Sequence, residues 1–267
     1  MPETESEAGP AARRWAEQLA AWAIPEEILA AAPESPWDFP VAIFGADVPD
    51  VDSPSRRRAL EVLREGGTVL DVGAGGGAAG LPLAPPAGRV MAVDQSAELL
   101  AAFAARAAER GVSHAKVQGR WPDVAPSVRP ADVVVCHHVL YNVPDLVPFV
   151  TALTEHARRR VVVEITAVHP VVRLNPLWRH FHGLDRPEGP TADDAAAVLV
   201  EAGIDFGSER TERPPRRIVD RAAWVSFTRR RLCLPADREA EVAELLGDQP
   251  DVPPGDFVTF WWDGSAR

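Results

Sequence analysis

Apolar positions recur along this chain with two periods, and the switch between them divides it. Within residues 11–32, Trp15, Leu19 and Trp22 and then Ile28 and Leu29 fall at helical spacing, with a break near Pro25. An aromatic stretch from Ser35 to Pro40, holding Trp37 and Phe39, reads as a loop. Ser53 and Pro54 read as an N-cap and a first-turn proline. They open a helix through Leu60 and Leu63 that stops at Gly66 and Gly67.

Beyond Gly67, short continuous apolar runs alternate with helical patterns. Thr68 to Val72, Arg89 to Asp94, Ala131 to Cys136 and Arg160 to Ile165 are strand-like, and Ala115 to Gln118 is a weaker member. Ser96 can cap a helix that places Leu99, Phe103 and Ala107 at four-residue spacing and ends at Gly111. Strands of this kind, separated by helices, predict a parallel sheet covered on both faces. In the C-terminal third, Thr191 and Asp194 form a capping-box pattern for a helix ending near Gly203. Residues 221–232 and 236–246 look helical, and Phe257 to Trp262 is a late aromatic strand.

Composition narrows the chemistry. The chain has 267 residues and a formal net charge of -11, which argues against a nucleic-acid partner. Lys116 is the sole lysine, so a P-loop lysine is missing and any Schiff base would fall to Lys116. Cys136 and Cys233 are far apart and form no CxxC, which argues against a disulfide framework or a cysteine-held zinc. No apolar run approaches the ~20 residues of a membrane span. The acidic start, Met1 to Pro10, is unlike a signal peptide. The expectation is a cytoplasmic protein with no membrane partner; its oligomeric state is open.

The richest segment runs from Asp71 through Gly73, Gly75, Gly76 and Gly77. It follows one strand and precedes a predicted helix whose N-terminus would offer free N–H groups. Glycines let the backbone turn sharply and approach a ligand without a Cβ. Seventeen residues after Gly77, Asp94 ends the next strand, where a carboxylate can accept hydrogen bonds from two ribose hydroxyls.

Asp71, Gly73, Gly75 and Gly77 resemble the first motif of class I S-adenosylmethionine-dependent methyltransferases, and Asp94 resembles their ribose-binding acid. The resemblance implies a Rossmann-like α/β fold, a seven-stranded, mostly parallel sheet with helices on both faces. It also implies S-adenosylmethionine as cofactor and contacts from Asp71, Gly73, Gly75, Gly77, Asp94 and Gln95. Arg120 and Trp121 stand where the family usually has an acidic residue near the adenine, so backbone groups or packing would hold the adenine here. His137 falls beside the cofactor. On this basis residues 1–10 form a disordered tail and residues 11–55 an N-terminal helical cap. Residues 56–267 form the cofactor-binding domain, with acceptor-lid insertions at about 168–190 and 213–250; the second is a helical insertion between the last two strands.

The segment from Gly75 to Gly80 also satisfies GxGxxG, so a NAD(P)-dependent oxidoreductase is the competing enzyme reading. Tyr141, the sole tyrosine, has no lysine four residues later, which removes a Tyr-x-x-x-Lys hydride site. A non-catalytic S-adenosylmethionine-binding module is the third reading.

Methyl transfer from a sulfonium is an in-line displacement, so positioning an acceptor comes first and a base is optional. His137 and His138 follow the fourth strand, and strand alternation would aim them to opposite sides. His138 is the preferred base, with Tyr141 three residues on to orient a small-molecule acceptor. Trp37, Phe39, Trp178 and His182 are the candidate acceptor-pocket residues, the last two in a histidine-rich loop after the fifth strand. Arg213, Arg216, Arg217 and the run Arg229 to Arg231 could meet an anionic acceptor or simply pair with carboxylates. No metal is expected: metal-dependent relatives place acids after the fourth strand, where this chain has Cys136, His137 and His138.

Overall fold

The computed structural model describes residues 9–37, 52–213, 216–217, 220–247, 251–252 and 255–267. Two helices come first, α1 (Pro10–Ala20) and α2 (Glu26–Ala31), then α3 (Pro54–Leu60). The strands and helices β1 (Thr68–Val72), β2 (Arg89–Asp94), α4 (Ala97–Glu109), β3 (Ser113–Gln118), β4 (Ala131–His137), α5 (Leu146–His156) and β5 (Ala157–Thr166) follow. Next are α6 (Asn175–His182), α7 (Ala192–Glu201), β6 (Phe206–Arg213), β7 (Arg216–Arg217), α8 (Arg221–Arg231), α9 (Glu239–Leu245), β8 (Asp251–Val252) and β9 (Gly255–Asp263).

Seven strands form one sheet in the order β3-β2-β1-β4-β5-β9-β6. Neighbours from β3 to β5 are parallel, whereas β9 runs antiparallel to both β5 and β6. The order reverses at β1, whose C-terminal end opens between β2 and β4, and this switch point is where open α/β sheets bind ligands. Alternate residues of each strand serve opposite faces. Leu70 and Val134 join Trp15, Phe149, Leu153 and Phe260 on one side. Val69 and Val133 join Leu100 and Phe103 of α4 on the other. Each such fully buried side chain is worth roughly 1.5–3 kcal/mol relative to exposure. A third cluster, holding Leu177, Trp178, Val225, Leu232 and Val242, joins α6, α8 and α9.

The local signals act as expected. Ser53 Oγ accepts from Arg56 N, Ser96 Oγ accepts from Leu99 N, and Thr191 and Asp194 close a capping box. Two expectations are corrected, and one strand had no signal in the sequence. No α-helix follows the glycine loop: turns lead into a single 3-10 turn, Leu81–Leu83. Pro82, Pro85 and Pro86 lack the N–H a helix needs there. The stretch after the fifth strand is not a loop, because residues 175–182 form α6, closed by Gly183 in the left-handed conformation (φ 65°). The edge strand β6 gave no apolar signal because it is paired on one side only and its burial alternates. Among the described residues, no helix is long and apolar enough to cross a membrane.

Candidate active site

The glycine loop leaves the end of β1 in the left-handed region, with φ of 70° at Gly73, 52° at Gly75 and 88° at Gly77. Asp94, at the end of β2, anchors it. Its Oδ2 accepts from Gly75 N and its Oδ1 from Ser96 N, each at 2.8 Å. Each carboxylate oxygen has a second lone pair, so Asp94 retains acceptor capacity. A Cβ on Gly73 would stand 2.3 Å from Val139 Cγ2, and one on Gly77 would stand 2.7 Å from Leu81 and Phe103. Glycine is therefore demanded at 73 and 77 by the protein's own packing.

Asp71 is 1% exposed, and its Oδ2 accepts from Gly80 N at 2.8 Å, closing the loop from below. Its Oδ1 is buried with no hydrogen-bond partner. Burial, only partly offset by the Gly80 bond and reinforced by Asp94, pushes its pKa up to about 7. Gln95 is exposed, and its carbonyl accepts from the Gln118 side chain. Arg120 is exposed too. Trp121 is instead committed to the core: it is 5% exposed, meets His156 edge-on, and its indole donates to the Phe149 carbonyl. That packing leaves it little face for an adenine.

Past β4 the two histidines part. Burial, aided by the Arg213 guanidinium, pushes His137 down to about 4 against the pull of Glu164. Its Nε2 is buried without a partner. His138 follows with φ 60°, a conformation costly for a side chain with a Cβ, and its N–H donates to the Glu164 carbonyl at 2.7 Å. Its Nε2 lies 3.3 Å from Glu164 Oε1 and its Nδ1 lies 3.4 Å from the Tyr141 hydroxyl. A carboxylate beside Nε2 favours the proton on that nitrogen and leaves Nδ1 as acceptor. The Tyr141 oxygen also accepts from Thr166 N at 2.6 Å, and burial raises the pKa of its phenol, keeping it neutral.

Glu164, on β5, was not singled out in the sequence, although an acid inside an apolar strand is a readable signal. It is 1% exposed and accepts from Ser55 Oγ at 2.7 Å and from Arg213. Burial opposes its ionisation, but the neighbouring His137 and His138, the His138 hydrogen bond and Arg213 outweigh burial and hold its carboxyl far below the usual range. A depressed folded-state pKa contributes stability that is present above the ordinary carboxylate pKa, 4.5, and is lost as pH falls below it. Glu164→Gln is therefore expected to destabilise the fold by about 1–2 kcal/mol at neutral pH. Urea melts should show the gap from wild type closing below about pH 4. A gap that stays constant with pH would contradict the buried charge.

Beside this cluster lies a cavity of about 310 Å³, lined by residues of α1, by Trp22, Trp37, Tyr141, His169 and Trp178, and by Arg186 and Arg231. Tyr141 connects the two features: its ring lines the cavity and its hydroxyl reaches His138. Two of the expected pocket residues, Trp37 and Trp178, are on the wall, and Phe39 lies outside the described residues. His182 is absent from the lining. It packs behind Trp178 with centroids 4.8 Å apart, and its Nε2 is spent on the Leu232 carbonyl at 2.7 Å. His180 meets Glu241, and among the described residues no three His, Cys, Asp or Glu side chains gather to hold a metal. His169, Arg186 and Arg231 complete the wall from the two lid segments; only Arg231 stood in a stretch marked for anions.

Comparison with known proteins agrees with this geometry. Residues 69–160 match a family model described as a methyltransferase domain. No curated protein matches the sequence. Among solved structures, the YcgJ protein of Bacillus subtilis is 17% identical, with a TM-score of 0.54, over 80% of this chain and 99% of its own. Magnesium protoporphyrin IX methyltransferase of Synechocystis PCC 6803, solved with bound S-adenosylhomocysteine, is 15% identical, with a TM-score of 0.50, over 75% of each chain. At such identities these likenesses speak for the fold; the family match and the loop from Asp71 to Asp94 speak for the chemistry. Residues 69–160 therefore carry a methyltransferase domain, and it contains the loop from Asp71 to Asp94 on a Rossmann-like sheet.

Proposed function

We propose that this methyltransferase acts on a small-molecule acceptor bound in the cavity beside Tyr141. The observation that carries the reading is the pairing of two features at the carboxyl ends of the parallel strands. One is the loop anchored by Asp94 and the other is an aromatic-walled cavity that opens to solvent. An acidic chain with a cavity of about 310 Å³ suits a metabolite better than a polyanionic nucleic acid.

S-adenosylmethionine, when bound, supplies an electrophilic methyl group on a sulfonium. The residues present fit it. Asp94 has lone pairs to spare for ribose hydroxyls, Gly73, Gly75, Gly76 and Gly77 leave the turn free of side chains except for buried Ala74, and the orphaned Asp71 Oδ1 lies beneath the turn. Gln95, next to Asp94, and His137, at the end of β4, flank the same loop end of the sheet. Tyr141 orients the acceptor as a neutral hydroxyl. His138 takes a proton at Nδ1 where the acceptor must lose one, held in place by Glu164 at Nε2. The buried indole of Trp178 helps to exclude water from the reacting pair.

Calorimetric titration with S-adenosylmethionine, S-adenosylhomocysteine and NAD, followed by turnover on a metabolite extract, tests the proposal. Binding of the first two, no binding of NAD, and release of S-adenosylhomocysteine only with the low-molecular-weight fraction are expected. NAD binding, or turnover confined to macromolecules, would overturn it.

A further inference from the structure

Arginines elsewhere in this protein show how it handles a structural guanidinium. Arg229 is 3% exposed and meets Glu34, Glu239 and the Leu234 carbonyl. Arg213 meets buried Glu164. Arg186, on the cavity wall, is handled differently. It donates to the carbonyls of Trp22 and Ala23 and lies over the rings of Trp22 and Trp178. Among the described residues no carboxylate pairs with it, and its Nε is buried without a hydrogen-bond partner. Two carbonyls occupy two of its five N–H donors and neutralise none of its charge. Arg231 reaches the same cavity from the end of α8, donating to the Pro36 carbonyl and lying over the Trp37 ring.

The two guanidiniums converge. Burial, and then the positive charges of Arg231 and Arg186, push His169 down to about 4, so this cavity histidine is neutral at pH 7. His169 stacks on Trp22 with ring centroids 4.3 Å apart, and its Nδ1 accepts from Val171 N, which leaves Nε2–H as a donor. The cavity thus combines indole-lined walls with a positive field, in a chain whose net charge is -11. A charge removed from water is stabilised best by an opposite charge, and a guanidinium matches a carboxylate in two-point geometry. Indole faces favour a flat partner.

Resting on the assignment of this cavity to the acceptor, we propose that it takes a planar ring acid, an aromatic or conjugated carboxylate anchored by Arg186, on the side where Arg231 adds positive charge, with its ring packed among the apolar walls that Trp22, Trp37 and Trp178 help to line. The carboxylate is a binding handle, and the neutral His169 adds a hydrogen bond to it. The volume, at the lower end of ligand cavities, suits one or two fused rings.

The test uses benzoate, 2-naphthoate and indole-3-carboxylate against their primary amides, with binding read by quenching of tryptophan fluorescence and by calorimetry, with and without S-adenosylhomocysteine. At least one acid should bind about ten-fold tighter than its amide, with a preference that shrinks as salt rises. Arg186→Gln and Arg231→Gln should each erase most of that preference while leaving the amide within about two-fold. Should either variant misfold, the acid-to-amide ratio in the wild-type protein still decides. Equal binding of acid and amide, or no acid bound at ~5 mM, would overturn the inference. If S-adenosylhomocysteine still binds in that case, the methyltransferase reading stands and only the acceptor class falls. If the acids bind and S-adenosylhomocysteine does not, the failure lies in the cofactor reading.

Discussion

Asp94→Ala is expected to weaken S-adenosylhomocysteine binding by about 10- to 100-fold while the protein stays folded. The carboxylate has two duties. It can accept from ribose hydroxyls, and it already accepts the N–H of Gly75 and that of Ser96. Charge-assisted hydrogen bonds of this kind are worth roughly 1.5–3 kcal/mol each when a partner is removed. Losing the ribose contacts accounts for about ten-fold, and slackening of the loop at Gly75 adds to it. Asp94→Asn separates the duties. An amide oxygen can keep one backbone N–H, so the loop should hold better than in the alanine variant, but the charge is gone. Calorimetry on both variants should therefore rank wild type above Asn above Ala. Unchanged affinity in a folded Asp94→Ala protein would remove Asp94 from the cofactor site.

His138→Ala is expected to lower the rate of methyl transfer by ~10²-fold or more, with cofactor affinity unchanged. Its Nε2 is oriented by buried Glu164 and its Nδ1 faces the Tyr141 hydroxyl, a base with an orienting partner. The deficit should shrink as pH rises, because an acceptor that ionises in solution no longer needs a base. A merely structural histidine would give a deficit that is flat in pH. Backbone strain needs its own control, since His138 sits at φ 60°. His138→Gly should be more stable than His138→Ala by about 1–2 kcal/mol, because glycine adopts that conformation freely, yet it should be equally slow. Single-turnover rates across pH, with urea melts of both variants, make the distinction. Full activity in His138→Ala would leave positioning as the source of catalysis.

What the sequence determined by itself was local. The caps at Ser53, Ser96 and Thr191 are bonds from a side chain to a backbone three residues on, so their spacing is visible in a linear string. The apolar strands and the loop from Asp71 to Asp94 were legible for a related reason. Strand burial leaves a composition, and the Asp94 to Gly75 bond spans only one strand–turn–strand unit. The tertiary structure decided the rest. Ser55 meets Glu164 across 109 residues and Arg213 meets it across 49, because β5, β9 and β6 follow one another in the sheet and α3 packs on β5. Nothing along the chain marks that meeting. Trp121 and His182 looked free in the sequence, but packing turned one into the core and spent the other on a carbonyl. Arg186 and Arg231 come from separate lid segments, and only their docking around Trp22, Trp37 and Trp178 makes them one cavity wall. Hydrogen bonds close in sequence obey spacing rules; a site assembled from five or more distant segments obeys the order of strands and the fit of side chains, which no local pattern records.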